Sequence, residues 1–282
     1  MAQPDFIIVG AMKSGTSTLA AQIGAQPGLF MTTPKEPNFF SDDAIWSKGP
    51  DWYHGLFANA APTDLKGEAS THYTKYPRHP HTLERMQALL ETHPRIIYVI
   101  RNPIDRAVSH FIHAWSEGET DRDISKAFEN TPDFVDFGCY GMQIAPFIEA
   151  FGKERIYLTS LEAMTANPQD ELTRATRFLG YGRTPIWQTE RARENVSSQR
   201  TRKLPLHGLI VDNPVATALR RTLVPKALRN RIRQRQTFGD RPELPEALRT
   251  RLQDRFLEDR ALLARLFPDH PALRACYPFA PS

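Results

Sequence analysis

The chain has 282 residues, 40% hydrophobic and 24% charged, a balance that suits a folded protein with a core and excludes a chain disordered throughout. Its two cysteines, Cys139 and Cys276, lie far apart and outside any CxxC pair, which excludes a disulfide framework and a cysteine zinc site and fits a reducing compartment. The net charge of +4 is unevenly spread: between Arg191 and Arg235 twelve Lys/Arg stand against two acids, Glu194 and Asp212, a local +10 that asks for an anionic partner.

The first five residues lead directly into an apolar strand, with no basic segment ahead of an apolar run of signal-peptide length. No stretch approaches the roughly 20 apolar residues of a spanning helix. The expectation is a soluble, cytoplasmic protein. Residues 6–9, Phe-Ile-Ile-Val, read as a buried parallel strand that ends at Gly10. Helical character follows over 16–23. Residues 26–62, rich in Pro, Gly and aromatics, read as irregular. Residues 66–70 read as the end of a short strand. Residues 81–91 form a helix with Leu83, Met86, Leu89 and Leu90 on one face.

Residues 95–100 give a second buried strand. Asn102-Pro103 opens the next helix, since proline suits a first turn whose amide is unpaired anyway. Helices over 141–151 and 168–179 flank a strand over 155–159, and Gly180 ends the second of them. A last amphipathic helix covers 245–267. Strands alternating with helices predict an α/β protein with a central, mostly parallel sheet flanked by helices in three layers. The simplest organisation is one domain: a core over 1–190, a basic lid or substrate region over 191–243, and a C-terminal docking helix and tail over 244–282.

Gly10-Ala-Met-Lys-Ser-Gly-Thr-Ser17 joins the first strand to the first helix. Successive amides at a helix N-terminus cradle phosphate oxygens. Gly15 permits close approach, Thr16, Ser17 and Thr18 offer hydroxyls, and Lys13 a mobile cation. An ATP-type phosphate loop carries its lysine directly after the second glycine. Here that position is Thr16 and the lysine is displaced to position 13, which argues against nucleotide hydrolysis but not against phosphate binding. Arg101, at the end of the second buried strand, and Ser109, two turns into the next helix, provide a second phosphate site. Arg106 reads as a structural ion-pair partner. His113 shares the face of Ser109, with a structural role or a substrate contact both open.

With these residues in place, the sequence resembles the PAPS-dependent sulfotransferase superfamily (PAPS is 3′-phosphoadenosine 5′-phosphosulfate), nearest the branch of heparan sulfate and bacterial carbohydrate sulfotransferases. The matching segments run in order: Phe6 through Ser17, Lys35-Glu-Pro-Asn-Phe-Phe40, Asp51-Trp-Tyr53, Gly67-Glu-Ala-Ser70 and Arg95 through Ser109, with the strand around Ile156-Tyr-Leu158 and Phe178-Leu-Gly180 beyond. The resemblance implies a P-loop-like fold and an enzyme with PAPS as co-substrate, PAP as product and no metal. It implies that Lys13, Ser14, Gly15, Thr16, Ser17 and Thr18 bind the 5′-phosphosulfate, and that Arg101 and Ser109 bind the 3′-phosphate. Glu36 matches the family's catalytic base, and Lys13 would neutralise the leaving oxygen.

The sequence departs from the branch at two places. The lysine expected in its Glu-Lys-Ser motif is Ala69 here, so a second cation has to come from elsewhere; His72, close by, is the alternative base. The branch's Lys-Gly-Arg nucleotide loop is also absent, and Ser197-Ser-Gln-Arg-Thr-Arg-Lys203 is its suggested replacement, with Arg200 or Arg202 near the 3′-phosphate. The expected acceptor carries a hydroxyl, with an amine as second choice, on a carbohydrate, glycolipid or small metabolite. Stacking of Phe39, Phe40, Trp52 and Tyr53 on sugar rings competes with plain core packing. Residues 213–235 suit a peripheral membrane contact through a basic amphipathic helix. No RNA-binding aromatic motif interleaves the basic residues, so nucleic acid is not expected. The alternative from another class is a small-molecule kinase using ATP with magnesium, which needs an acid where the second buried strand ends in Arg101.

Overall fold

The computed structural model describes residues 3–190 and 241–281. Five parallel strands form one sheet in the order β2–β3–β1–β4–β5. They are β1 (Phe6–Gly10), β2 (Leu29–Met31), β3 (Leu65–Ala69), β4 (Arg95–Ile100) and β5 (Ile156–Ser160). Every residue of β1 is buried, as are five of the six in β4, because both faces of the sheet are covered. Alternation along the strands divides the core in two. Phe6, Ile8, Ile97 and Val99 pack with Leu19, Ile23 and Leu172 from helices α1 (Thr16–Gly24) and α10 (Pro168–Phe178). Ile7, Val9, Ile96 and Tyr98 face Phe111, Phe147 and Phe256, from α5 (Pro103–Glu117), α8 (Tyr140–Phe151) and α11 (Glu246–Leu266). The result is the three-layer α/β arrangement expected from the sequence.

The 26–62 segment is more ordered than its composition suggests. It holds β2 and the short helices α2 (Asp43–Trp46) and α3 (Gly49–Gly55). Asp42 caps α2 by accepting from the Ile45 amide at 3.0 Å. The aromatics of this segment account for the order. Phe39, Phe40 and Tyr53 are fully buried, with Phe39 stacked on Tyr53 at 4.7 Å and on Trp52 at 5.9 Å. They are core residues, and of the two uses weighed for them the structure shows packing.

β1 has β3 on one side and β4 on the other, so the crevice beyond its C-terminal end is where ligands gather in open α/β sheets. Two glycines shape the chain there. Gly10 has φ 156°, and a Cβ on it would stand 1.9 Å from Thr74 Oγ1. That hydroxyl donates to the Val9 carbonyl at 2.8 Å, so the end of β1 and the 3-10 turn Thr71–Thr74 lie in direct contact. Gly15, at φ 88°, opens α1, and a Cβ there would stand 2.8 Å from Leu161 Cδ1.

α11 packs along α8. Asp259 of α11 accepts from the Gly141 and Met142 amides at 2.7 and 2.8 Å, satisfying two donors of the first turn of α8.

Candidate active site

A cavity of about 1510 Å³ opens at the C-terminal end of the sheet, larger than a usual single-ligand pocket of about 300–1,000 Å³ and roomy enough for two substrates. Lys13, Gly15, Thr16, Ser17 and Thr18 line it together with Arg101, Ser109, Glu36 and His72. Residues from four separate stretches of sequence thus meet in one space. Ser14 stands apart: it is fully buried, does not line the cavity, and its amide bonds the Ala11 carbonyl at 3.2 Å. Arg200 and Arg202 lie outside the described residues, as does the 213–235 segment.

No side chain caps the start of α1, so the first amides of that helix face the cavity from a bare N-terminus. Lys13 has φ 68° and Glu36 φ 59°. Non-glycine residues in the left-handed region cost about 1 kcal/mol or more and cluster at functional sites. Arg101 joins the end of β4 to the loop after β1, its Nη1 donating to the Lys13 carbonyl at 3.3 Å. Tyr140, at the start of α8, holds Arg101 in turn: its hydroxyl accepts from the Arg101 amide at 3.3 Å and donates to the Arg101 carbonyl at 2.7 Å. Next to them Asn102 caps α5, accepting from the Ile104 and Asp105 amides, while its own amide donates to Glu162 at 2.8 Å. Cys276 donates to the other oxygen of Glu162 at 3.2 Å; both cysteines are buried and free.

Glu36 is fixed from three sides. Its amide donates to the Ala69 carbonyl at 2.9 Å, Lys35 Nζ lies 2.6 Å from Oε1, and Thr71 Oγ1 donates to Oε2 at 3.1 Å. Burial alone pushes this carboxyl up, but the Lys35 charge and hydrogen bond, the Thr71 hydroxyl and the Lys75 charge together hold it below its ordinary value. It is therefore ionised at neutral pH. His72 stacks on His79 at 4.9 Å, and its Nδ1 is buried without a partner. Burial first, then Lys75 and His79, lower it to about 4, so its ring is neutral at neutral pH. Both groups are in the protonation state a base requires.

Ser109 and His113 line the cavity from α5. Arg106 differs from its expected role as an ion-pair partner: fully buried, it donates to the Phe134 carbonyl, and among the described residues no carboxylate pairs with it. The Phe134 carbonyl reaches one of its terminal nitrogens because α7 (Asp133–Asp136) packs against α5, while its Nε is buried without a partner.

Sequence reasoning missed Lys75, Tyr140 and Thr71. Lys75 directly follows the 3-10 turn and lines the cavity, a cation on the same stretch as Ala69. Its signal was the Thr-Lys-Tyr-Pro run just after a strand end, where a turn returns side chains to the site. Tyr140 gave no signal, because its partner is a backbone 39 residues away.

The chain matches the family of the sulfotransferase domain over residues 3–258. It is 26% identical over 188 residues to a mouse heparan sulfate glucosamine 3-O-sulfotransferase 6, covering 64% of this chain and 53% of that protein. It is 24% identical over 198 residues to the human bifunctional heparan sulfate N-deacetylase/N-sulfotransferase 2, covering 63% of this chain and 22% of that protein. The chain thus spans about half or less of these relatives. Among solved structures, a sulfotransferase from Alicyclobacillus acidocaldarius superposes with TM-score 0.68 at 21% identity, covering 97% of this chain and all of that one. A mouse sulfotransferase complexed with PAP superposes with TM-score 0.50 at 20% identity, covering 98% and 89%. Among the described residues no helix is long and apolar enough to cross a membrane.

Proposed function

Because the chain belongs to the sulfotransferase domain family, we propose that it transfers a sulfuryl group from PAPS to an acceptor hydroxyl by in-line displacement. One observation carries this reading: a single cavity gathers the phosphate loop, Arg101 with Ser109, and an ionised carboxylate. The loop from Lys13 to Thr18 takes the 5′-phosphosulfate, with Ser14 shaping the loop from beneath, its amide bonded to the Ala11 carbonyl. Arg101 and Ser109 take the 3′-phosphate, the group that separates this donor from ATP.

Glu36 accepts the proton of the acceptor hydroxyl, within hydrogen-bond reach of the bound acceptor. The acceptor oxygen bonds to sulfur as the bond from sulfur to the bridging phosphate oxygen breaks, and PAP leaves. Lys13 offsets the charge that builds on that oxygen. His72 is the second candidate for the base. The acceptor is a carbohydrate, glycolipid or small metabolite, and the reaction takes place in the cytoplasm. The division into a donor-binding core over 1–190, an acceptor-facing basic region over 191–243 and a C-terminal docking part belongs to the same proposal. Arg241, paired with Asp105 at 2.7 Å, lines the cavity from that basic region.

Calorimetric titration with PAP tests the donor, and absence of binding at millimolar concentration overturns it. Mass-detected transfer from PAPS to a panel of glycans, glycolipids and phenols then identifies the acceptor. A clear preference for ATP over PAPS would instead establish a kinase.

A further inference from the structure

Lys75 is a buried charge that no carboxylate pairs with among the described residues. It is 7% exposed, yet it lines the cavity. Two carboxylates reach it electrostatically, Glu36 and Asp133, and each has a closer partner. Glu36 is held by Lys35 at 2.6 Å and Asp133 by Arg78 at 2.6 Å. Arg78 and Arg106 repel the ammonium. His72, His79 and His110 surround it as neutral rings, all three lowered chiefly by burial. Among the described residues its ammonium contacts the face of the Phe137 ring at 5.7 Å. Taking an ammonium out of water without a paired anion is costly. A protein retains such a group where a ligand brings the anion.

We propose that Lys75 is an oxyanion-holding residue of the transfer site, its counter-charge arriving with a ligand beside Glu36 and His72. The oxyanion is either the sulfuryl group of the donor or an acidic group on the acceptor. This rests on the sulfotransferase reading above. Lys75 lines the same cavity as Glu36 and His72, and Glu36, Arg78 and Asp133 are the charges that act on it most. Burial lowers the ammonium to about 8, with Glu36 opposing that fall. An oxyanion in contact raises it again, so binding above pH 8 draws a proton onto the protein.

The test uses the whole chain with Lys75→Met and Lys75→Arg, and PAP, PAPS and inorganic sulfate as probes. Lys75→Met keeps an unbranched side chain one atom shorter and removes the charge, and it is expected to melt no lower than wild type. With PAP saturating, wild type and Lys75→Arg bind sulfate, while Lys75→Met loses at least tenfold in affinity. Calorimetry at pH 8.5 in two buffers of different ionisation enthalpy reads proton uptake on PAPS or sulfate binding in wild type and none in Lys75→Met, a signature that a packing role does not produce. If Lys75→Met lowers affinity for PAPS but not PAP, the donor supplies the oxyanion. An unchanged PAPS to PAP ratio with sulfate binding lost assigns it to the acceptor. The proposal is overturned if Lys75→Met changes neither sulfate affinity nor that ratio. Failure of wild type to bind PAP sinks the sulfotransferase reading instead.

Discussion

The Tyr140 hydroxyl bonds both sides of Arg101, accepting from its amide and donating to its carbonyl. Arg101 reaches on to the Lys13 carbonyl, so one phenol holds the residue proposed for the 3′-phosphate and, through it, touches the loop proposed for the 5′-phosphosulfate. Tyr140→Phe keeps the ring in the core and removes both bonds. At about 1 kcal/mol each, PAP affinity is expected to fall about tenfold or somewhat more. Affinity for 5′-AMP, which lacks the 3′-phosphate, should change little. Parallel titrations of PAP and AMP check this; an equal loss for both nucleotides would show that Tyr140 supports the fold without orienting Arg101.

Lys13→Ala and Glu36→Gln are expected to part company. Both should reduce transfer by about 10²-fold or more, but only Lys13→Ala should weaken PAP binding strongly, because Glu36 serves the acceptor. The comparison needs kcat from PAPS turnover and Kd from titration on the same preparations. Full activity in Glu36→Gln together with its loss in His72→Gln would move the base to His72.

The charges around Glu36 set the acid limb of the pH profile. With Glu36 as the base, activity persists while the carboxyl is ionised and falls as pH drops through its lowered value, below 4.5. kcat/KM should therefore be level from pH 5 to 7. A limb near 6.5, the ordinary value of histidine, would point to an imidazole base outside the His72 environment.

Glu68 gives a prediction about stability. It is fully buried and accepts from Tyr53 at 2.7 Å, Tyr73 at 3.0 Å and Ser70 at 3.1 Å. Burial raises it to about 7, and those hydroxyls only partly oppose the rise. The folded value lies above the ordinary 4.5, so the unfolded chain ionises first. Stability is then lost as pH rises from about 4.5 to 7 and levels off above that, by roughly 3 kcal/mol. Glu68→Gln should flatten this dependence and raise the urea midpoint at pH 8 relative to wild type. A wild-type midpoint that does not change between pH 5 and 8 would count against it.

The parts legible in the sequence were those that depend on local order. Gly10 through Ser17 announced a strand, an anion loop and a helix because glycine and apolar spacing act within a few residues. Arg101 and Ser109 were legible because a strand end and a helix face fix where their side chains point. Glu36 was legible by resemblance, whereas its supports were not: the Ala69 carbonyl ends a strand and the Thr71 hydroxyl opens the 3-10 turn after it, both more than 30 residues on. Residues 26–62 looked irregular because their order comes from Phe39, Phe40 and Tyr53 packing on one another, a tertiary effect that overrides weak local preference. Lys75 and Tyr140 act through partners that only the fold brings near.

Asp259 caps the helix that begins with Tyr140, and Tyr140 holds Arg101. The loop after β1 is therefore synthesised well before the residue that caps the helix bracing Arg101. A nascent chain lacking α11 has the anion cradle without the brace that orients Arg101. The α8 turn that carries the Arg101 brace is thus completed by a residue more than 100 positions further along the chain.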